Sequence, residues 1–521
     1  MTTHKNNISF VFVHIVIFIC GSVLMSLEFS GSRVLAPYFG SSIFVWASLI
    51  SVLLIALACG NYWGGNLADQ SPSFTLWGTI IGLSGIFVLI IPLMCGPICR
   101  YITHFITDDR IGSLMATCCL FFLPSLLLGM VSPFAIKFSL PNVAIAGNVS
   151  GRLYAVSAIG NVFGTLFTAF YLITKLGIFA IFTTLGLILI VTAIAIICSK
   201  GTRAHFMFSI ALAIISLILA ASPAPALVSF KDDVAVRLEK DSFYHHIMIV
   251  DFLDKNIRNL HFDRGDQTSI SLSGNHESYN SYTNMLHLPL VFAPNFKNAL
   301  FIGAGGAIVP RNYSNDYPNI DIDLVEIDPI VGKISTDYFF LNPNEHLKLI
   351  IADGRRLVQN TDKIYDIVVL DAYFTKSQIP FHLLTKNFFE ELHLKISPDG
   401  VLAINLGGAV AGKGSTLFLA VYRTLASVFN NLYVFPDINN NILVDLSQSR
   451  NIIIIASKSK ERFSQQHLSE KMKALSESGI VKISNFDYYA QTLLEINPSS
   501  LSKAVLLTDD YAPVEHLMQN H

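Results

Sequence analysis

Seven apolar runs in the first 226 residues set the first limit on how this 521-residue chain folds: 8–25, 43–63, 74–93, 111–130, 153–172, 176–198 and 206–221. Each is long enough, or nearly so, to cross a bilayer, for which about 20 apolar residues suffice as a helix. Lipid gives backbone N–H and C=O groups no water to bond, so such segments must satisfy themselves internally as helices. The first run has the length of a secretory leader. It lacks a small-residue cleavage site and six further runs follow it, which makes it a retained helix. The pairs Gly60 and Gly64, Gly78 and Gly82, and Gly160 and Gly164 predict close approach between helices.

Ionisable side chains are few in this half. Glu28 and Arg33 flank the end of the first span, and His14 reads as a satisfied histidine. Asn61, Asn66 and Asn161 leave a polar path open as an alternative to a plain anchoring bundle. All seven cysteines (Cys20, Cys59, Cys95, Cys99, Cys118, Cys119, Cys198) lie here, and without a histidine cluster beside them they read as packed thiols. The second half therefore has neither a thiolate zinc site nor a disulfide framework. A formal net charge of −2 predicts no nucleic-acid partner. With the large domain inside, Arg33, Arg100, Arg110, Lys175, Lys231, Arg237 and Lys240 would be cytoplasmic, against Lys5, Lys137, Arg152, Lys200 and Arg203 outside. Seven against five leans toward a multi-pass protein of the cytoplasmic membrane with its C-terminal domain in the cytoplasm.

Beyond a proline-bearing linker at 221–225, β-like runs at 243–252, 260–263 and 268–272 are separated by turn residues and predict a small antiparallel sheet. A helix is expected over 277–288, carrying Tyr282 and His287. For that pair a substrate role and packing on a sheet are both open. From 298 onward βα units follow one another. Residues 299–302 form a buried-strand run that ends in Gly303-Ala304-Gly305-Gly306, a turn that lets the backbone approach a ligand closely. A second strand, 322–325, ends at Glu326, where a carboxylate can accept both hydroxyls of a ribose. A third, 347–351, leads to Asp353-Gly354, and a fourth, 366–370, to Asp371. Ser397-Pro398-Asp399-Gly400 then turns into a fifth strand, 401–405. Ligands in open α/β sheets bind beyond the carboxyl ends of the strands, so Gly303, Glu326, Asp353 and Asp371 are expected to converge on one crevice.

These residues resemble the spermidine synthase (polyamine aminopropyltransferase) family, and in particular its bacterial members fused to an N-terminal membrane bundle. In the first half the matching runs begin at Gly31-Ser32-Arg33 and at Gly60-Asn61-Tyr62, the second ending at Asp69. At the other end, Leu507-Thr508-Asp509-Asp510-Tyr511-Ala512-Pro513-Val514-Glu515 is also similar to the fused members. The resemblance implies that Gln267 lies near the nucleoside, that Gly303, Gly305 and Gly306 form the glycine turn, and that Glu326 takes the ribose. It further implies that Asp353-Gly354 serve the adenine side and that Asp371 is the catalytic base. The implied reaction joins the aminopropyl group of decarboxylated S-adenosylmethionine to a diamine such as putrescine, with no metal.

The chain departs from that pattern in three places. Gly306 stands where the soluble members carry an aspartate, and the segment after Asp371, Ala372-Tyr373-Phe374-Thr375-Lys376-Ser377, holds a lysine and no second acid. Asn405-Leu406-Gly407-Gly408 adds none either. Asp509, Asp510 and Glu515 either fold over the site or form a turn before Pro513. The alternatives are a methyltransferase that uses intact S-adenosylmethionine on a small molecule, and a non-catalytic membrane sensor or transporter. An NAD dehydrogenase fits less well, because the turn lacks the third glycine spacing. The expected architecture is a multi-pass α-helical membrane bundle (1–226), a small β-hairpin region (227–295) and an α/β Rossmann-like domain of the class I methyltransferase type (296–521). Lipid and a second copy of the chain are the further partners expected.

Overall fold

A computed structural model describes residues 10–40, 42–106, 108–199, 213–214, 218, 233–263, 265–274, 276–293, 295–373, 379–437 and 445–518. The chain divides into two units, Met1–Lys231 with Lys240–His246, and Asp232–Glu239 with Ile247–His521. In the first, six helices among the described residues are long and apolar enough to cross a membrane. They are Phe10–Phe39 (α1), Ile43–Gln70 (α2), Phe74–Phe105 (α3), Arg110–Ser139, Val143–Leu172 and Ile178–Cys198. The run at 206–221 lies almost wholly outside the described residues, as does the linker at 221–225.

The fourth span is two helices, Asp109–Gly129 (α4) and Val131–Ser139 (α5), broken at Met130. Pro133 accounts for the break, since it has no N–H to donate and its ring crowds the carbonyl of Gly129 four residues back. The fifth span begins as Ala146–Phe167 (α6) and ends in a π-helical turn, Thr168–Leu172. α6 lies on α1 with almost no side chain between them: a Cβ on Gly160 would meet the backbone of Phe18, and one on Gly164 the backbone of Ser22. That approach lets Ser26 Oγ donate to the Gly164 carbonyl at 3.3 Å and receive Thr168 Oγ1 at 2.8 Å. In lipid, where apolar burial adds little between helices, such packing and hydrogen bonding supply the association. Ile178–Cys198 forms the next long helix (α7).

In the second unit a four-stranded sheet, β1 (Val234–Asp241), β2 (His246–Phe252), β3 (Ile257–Phe262) and β4 (Gly265–Ser271), runs in chain order. Its apolar face, with Ile249, Leu260 and Ile270, packs on Ile308, Val331 and Phe339. The helix expected over 277–288 is replaced by two short turns, Tyr282–Met285 and Pro289–Phe292. The segment before them is drawn into the sheet instead: Ser271 N–H donates to Glu277 O and Tyr279 N–H to Ser269 O, both at 2.9 Å.

A seven-stranded sheet follows, ordered β10-β11-β9-β8-β5-β6-β7. Its strands are β5 (Asn298–Ile302), β6 (Asp321–Glu326), β7 (Leu347–Ile351), β8 (Tyr365–Leu370), β9 (Ile396–Gly408), β10 (Asn431–Pro436) and β11 (Arg450–Ser457). β7, β6, β5, β8 and β9 pair in parallel, and β11 and β10 close the far side antiparallel. Alternate residues of the central strands enter two cores, Leu300, Ile302, Val368 and Leu370 on one face, Ala299, Phe301, Ile367 and Val369 on the other. Burial on both faces is why these strands read as unbroken apolar runs. The Ser397–Gly400 turn falls inside the long β9, where pairing with β8 shifts register and Ser397 Oγ donates to Asp366 Oδ1 at 2.8 Å.

The close α1–α6 contact predicts the effect of a larger side chain. Gly164→Leu is expected to lower stability in detergent by about 1–3 kcal/mol, the usual cost of overpacking. Gly151→Leu, at a position with no neighbour within 4 Å of an added Cβ, leaves it unchanged. Thermal unfolding of the solubilised protein checks this, and equal midpoints for the two variants would contradict the packing.

Candidate active site

The chain runs from β5 to β6 to β7 in one direction along the sheet, then returns to place β8 on the other side of β5. At that reversal the loops leaving β5 and β8 diverge and open a crevice. The two strand ends are tied together, with Asp371 N–H donating to Ile302 O at 3.0 Å. Reading along the carboxyl edge in strand order gives Asp353 after β7, Glu326 ending β6, Gly303 after β5, Asp371 after β8 and Asn405 in β9. Arg450 comes next, beginning the antiparallel β11 opposite Gly408.

Gly303 has φ 98° and Gly305 φ 49°, left-handed conformations that L side chains rarely adopt. A Cβ on Gly303 would also strike the carbonyl of Asp371, so that turn requires glycine twice over. Glu326 is buried and anchors the turn, with Oε2 accepting Ala304 N–H and Oε1 accepting Asp328 N–H, each at 2.9 Å. Asp353 caps the helix Gly354–Asn360 by accepting Arg356 N–H at 2.8 Å, and its other oxygen lies 3.2 Å from His382 Nε2. The His382 contact holds the Asp353 carboxyl below the ordinary range, against the opposing effect of burial. Gly354 sits against the side chain of Ile302, so this turn packs directly on β5.

Asp371 faces a cleft lined by Gln267, Thr268, Tyr282, Gly303, Gly305 and Tyr373. Asn405 Nδ2 donates to Asp371 Oδ1 at 2.9 Å, and Tyr373 Oη donates to the Asn405 carbonyl at 2.7 Å. Burial pushes the Asp371 carboxyl up to about 6, and the Asn405 bond works in the opposite direction. Burial, and next the charge of Asp371, raise the Tyr282 and Tyr373 hydroxyls well above their ordinary value. Asn405 is buried and its Oδ1 has no hydrogen-bond partner among the described residues, which leaves an acceptor for a donor brought by a ligand.

Residues 279–435 match the Spermine/spermidine synthase domain. The C-terminal half carries a spermine/spermidine synthase domain. Over 285 residues the chain is 26% identical to the "Polyamine aminopropyltransferase" of Vibrio vulnificus, covering 54% of this chain and 90% of that one. It is 27% identical over 287 residues to the "Probable polyamine aminopropyl transferase" of Bifidobacterium longum, covering 54% of this chain and 61% of the relative's length. A crystal structure described as a probable spermidine synthase from Corynebacterium glutamicum aligns over 54% of this chain and 98% of its own, at 16% identity and a TM-score of 0.43.

The expected site residues separate into groups. Gln267, Gly303, Gly305, Tyr282 and Asp371 line one cleft, whereas Glu326, Asp353 and Gly354 stand at the ends of the next two strands on the β6 side. His287 is not with them. It is buried between Tyr313 and Tyr317, bonded to Tyr317 Oη at 3.0 Å and driven by burial down to about 4, so it belongs to the core and is withdrawn as a substrate contact. The position of Gly306 is filled from outside: Thr268 Oγ1 accepts its N–H at 2.9 Å, and an added Cβ would overlap the Thr268 side chain.

Of the tail acids, Asp509 is likewise committed elsewhere. Asp509 holds Arg355 through two bonds of 2.8 and 2.7 Å and accepts Thr385 Oγ1 at 2.7 Å. The residues after Tyr373, 374–378, lie outside the described residues. Asn405, Tyr373, Thr268 and Arg450 gain their places at the site only from strand order, which brings segments far apart in the chain to one edge.

Asp371 yields a test that needs no substrate. Its folded value near 6 lies above the ordinary 3.8, so the folded state resists ionisation. The protonated carboxyl is favourable below the ordinary value, and that stability is lost as pH rises through about 6. Asp371→Asn is therefore expected to unfold at a higher temperature than the parent at about pH 7.5, with the difference gone by about pH 4. Equal midpoints at both pH values would remove the buried carboxylate from this account.

Proposed function

We propose that this chain is a membrane-anchored aminopropyltransferase that moves the aminopropyl group of decarboxylated S-adenosylmethionine onto an amine. The nucleoside is held along the β5–β7 edge, its ribose on Glu326 and its adenine by Asp353-Gly354, with Gln267 and the Gly303–Gly305 turn against the sulfonium side. The acceptor amine enters from the β9 side and reaches the methylene beside the sulfonium at Asp371.

The chemistry is a displacement. The amine lone pair forms the new C–N bond, the C–S electron pair returns to sulfur to leave methylthioadenosine, and one N–H proton must be removed. An amine that arrives as ammonium has no lone pair to attack with, so a base beside it is required. The carboxylate of Asp371 takes that proton, and the orphan Oδ1 of Asn405 accepts the second N–H and aims the nitrogen. A base with a value near 6 is ionised at neutral pH yet more basic than an exposed carboxylate, which suits it to this task. The observation that carries the reading is the position of the Asp371 carboxylate, bonded to Asn405 and facing the cleft at the strand reversal, beside the match to a spermine/spermidine synthase domain. A diamine such as putrescine is the acceptor class the family resemblance implies.

We place the synthase domain on the cytoplasmic side, where adenosyl sulfonium donors are made and toward which the seven-to-five count of basic residues leans. The spans then tether synthesis to the bilayer.

Asp371→Asn is expected to keep its affinity for methylthioadenosine while transfer falls by about 10²–10⁴-fold, the range for a positioned general base. In the parent, transfer falls as pH drops through about 6. Mass spectrometry of solubilised protein incubated with donor and amine reads both, and transfer at the parental rate by the variant would defeat the assignment. A methylated product formed from S-adenosylmethionine would redirect the reading to methyl transfer. For orientation, a cytosolic reporter fused near Pro225 is expected to be active, and alkaline phosphatase activity from the same fusion would reverse the topology.

A further inference from the structure

We infer that the acceptor is an amine whose far end carries an anion, an ω-amino carboxylate in chemical class, and that Arg450 recognises that end. The inference rests on aminopropyl transfer at Asp371 as read above. Its ground is the charge of the cleft beyond Asp371. From β8 the edge continues to β9 and then to β11, two strand spacings or about 10 Å, which is the reach of a short aliphatic chain. The wall met there holds Gln267, Asn280, Asn405, Ser449 and Asn451, all neutral, and Arg450. The one acid described in that wall is Asp266, whose side chain is 62% exposed and paired with His261 at 2.6 Å.

Arg450 is held in place by neutral groups. Its Nε donates to Gln448 O at 3.3 Å, one terminal nitrogen to Asp437 O at 3.4 Å and the other to Asp445 O at 2.5 Å. All three are backbone carbonyls, which orient the guanidinium and carry no net charge of their own, and five N–H donors exceed three bonds. The nearby Asp445 carboxylate is exposed and receives Ser447 N–H at 2.9 Å; bonds from Ser447, and after them the charge of Arg450, hold its carboxyl below the ordinary range, so it offsets part of the guanidinium charge from the solvent side without closing an ion pair on it. A diamine with one nitrogen at Asp371 would direct its second, as ammonium, toward this fixed cation. Like charges at such a distance in a partly closed cleft disfavour binding, whereas a planar guanidinium suits a carboxylate. The amide and hydroxyl side chains around it add N–H and O–H donors for the same anion.

The test uses the full-length parent in detergent with decarboxylated S-adenosylmethionine and three competing acceptors of equal concentration: 4-aminobutyrate, butylamine and putrescine. Mass spectrometry of the products is expected to show the aminopropylated 4-aminobutyrate in about tenfold excess over either other product. Arg450→Glu is expected to reverse the order in favour of putrescine, and Arg450→Lys to keep the parental order. Methylthioadenosine binding by each variant establishes that it is folded. Excess product from putrescine or butylamine with the parent would overturn this inference and leave aminopropyl transfer standing, as would a parental order in a folded Arg450→Glu. No aminopropylated product from any acceptor would overturn the transfer reading and this inference with it.

Discussion

The second unit depends on the position of β5 between β6 and β8. One backbone bond, from Asp371 N–H to Ile302 O, marks where the chain reverses its progress across the sheet. Because the neighbouring loops leave in opposite directions there, the sheet itself cannot close the gap, and a crevice results. Gly303 makes the gap usable. Its φ of 98° turns the chain sharply away from the strand, and its missing Cβ lets the Asp371 carbonyl sit against it. Any other residue would push the β5 and β8 loops apart and move the carboxylate relative to the glycine turn.

Three carboxylates share this edge yet differ in character because their surroundings differ. Glu326 accepts two backbone N–H groups, from Ala304 and Asp328, and so fastens the turn after β5 to the end of β6. Asp353 caps a helix and faces His382, both of which favour its charged form. Among the described residues Asp371 accepts one amide donor, from Asn405, and burial raises its affinity for a proton, whereas His382 lowers that of Asp353. A row of acids chosen only for negative charge would not need such differences. The gradient along the edge, from hydrogen-bonded acceptors on β7 and β6 to a proton-seeking group on β8, follows from burial and from the N–H donors at each strand end.

Much of this was legible in the sequence for a physical reason: strands buried on both faces are uninterrupted apolar runs, and their ends are marked by glycine or acid. β6, β7 and β8 accordingly fall within a residue of where the apolar runs stop. β1 was not readable, because Val234–Asp241 has no fully buried residue and carries charge at several positions, without the alternation of a half-buried strand. The 277–288 segment misleads because spacing that suits a helix also suits an edge segment followed by two turns, and the pairing with β4 decides. His287 looks polar and available in sequence, while the tyrosines that enclose it, Tyr313 and Tyr317, are some thirty residues away and only the fold brings them near. Arg450 lies outside the glycine and acid pattern altogether; it reaches the site because β11 runs antiparallel, so that its first residue, and not its last, meets the carboxyl edge.

The tail shows why an acid near a site need not belong to its chemistry. Arg355 follows Asp353-Gly354 directly, and its guanidinium is gripped by Glu391 at 2.9 and 2.7 Å and by Asp509 at 2.8 and 2.7 Å. It also donates to the carbonyl of His382, whose ring meets Asp353. The hydrogen bonds of the arginine hold both carboxyls below their ordinary range, and it cannot swing away without breaking both ion pairs. Nearby, Leu507 N–H donates to Thr424 Oγ1 and its carbonyl accepts Lys386 N–H, so the tail is fixed on two helices before it reaches Arg355. The last segment of the chain thus braces the turn after β7 from outside. That turn has only a short helix behind it, and a loop that must present Asp353 at a constant angle gains from an anchor that the sheet does not provide.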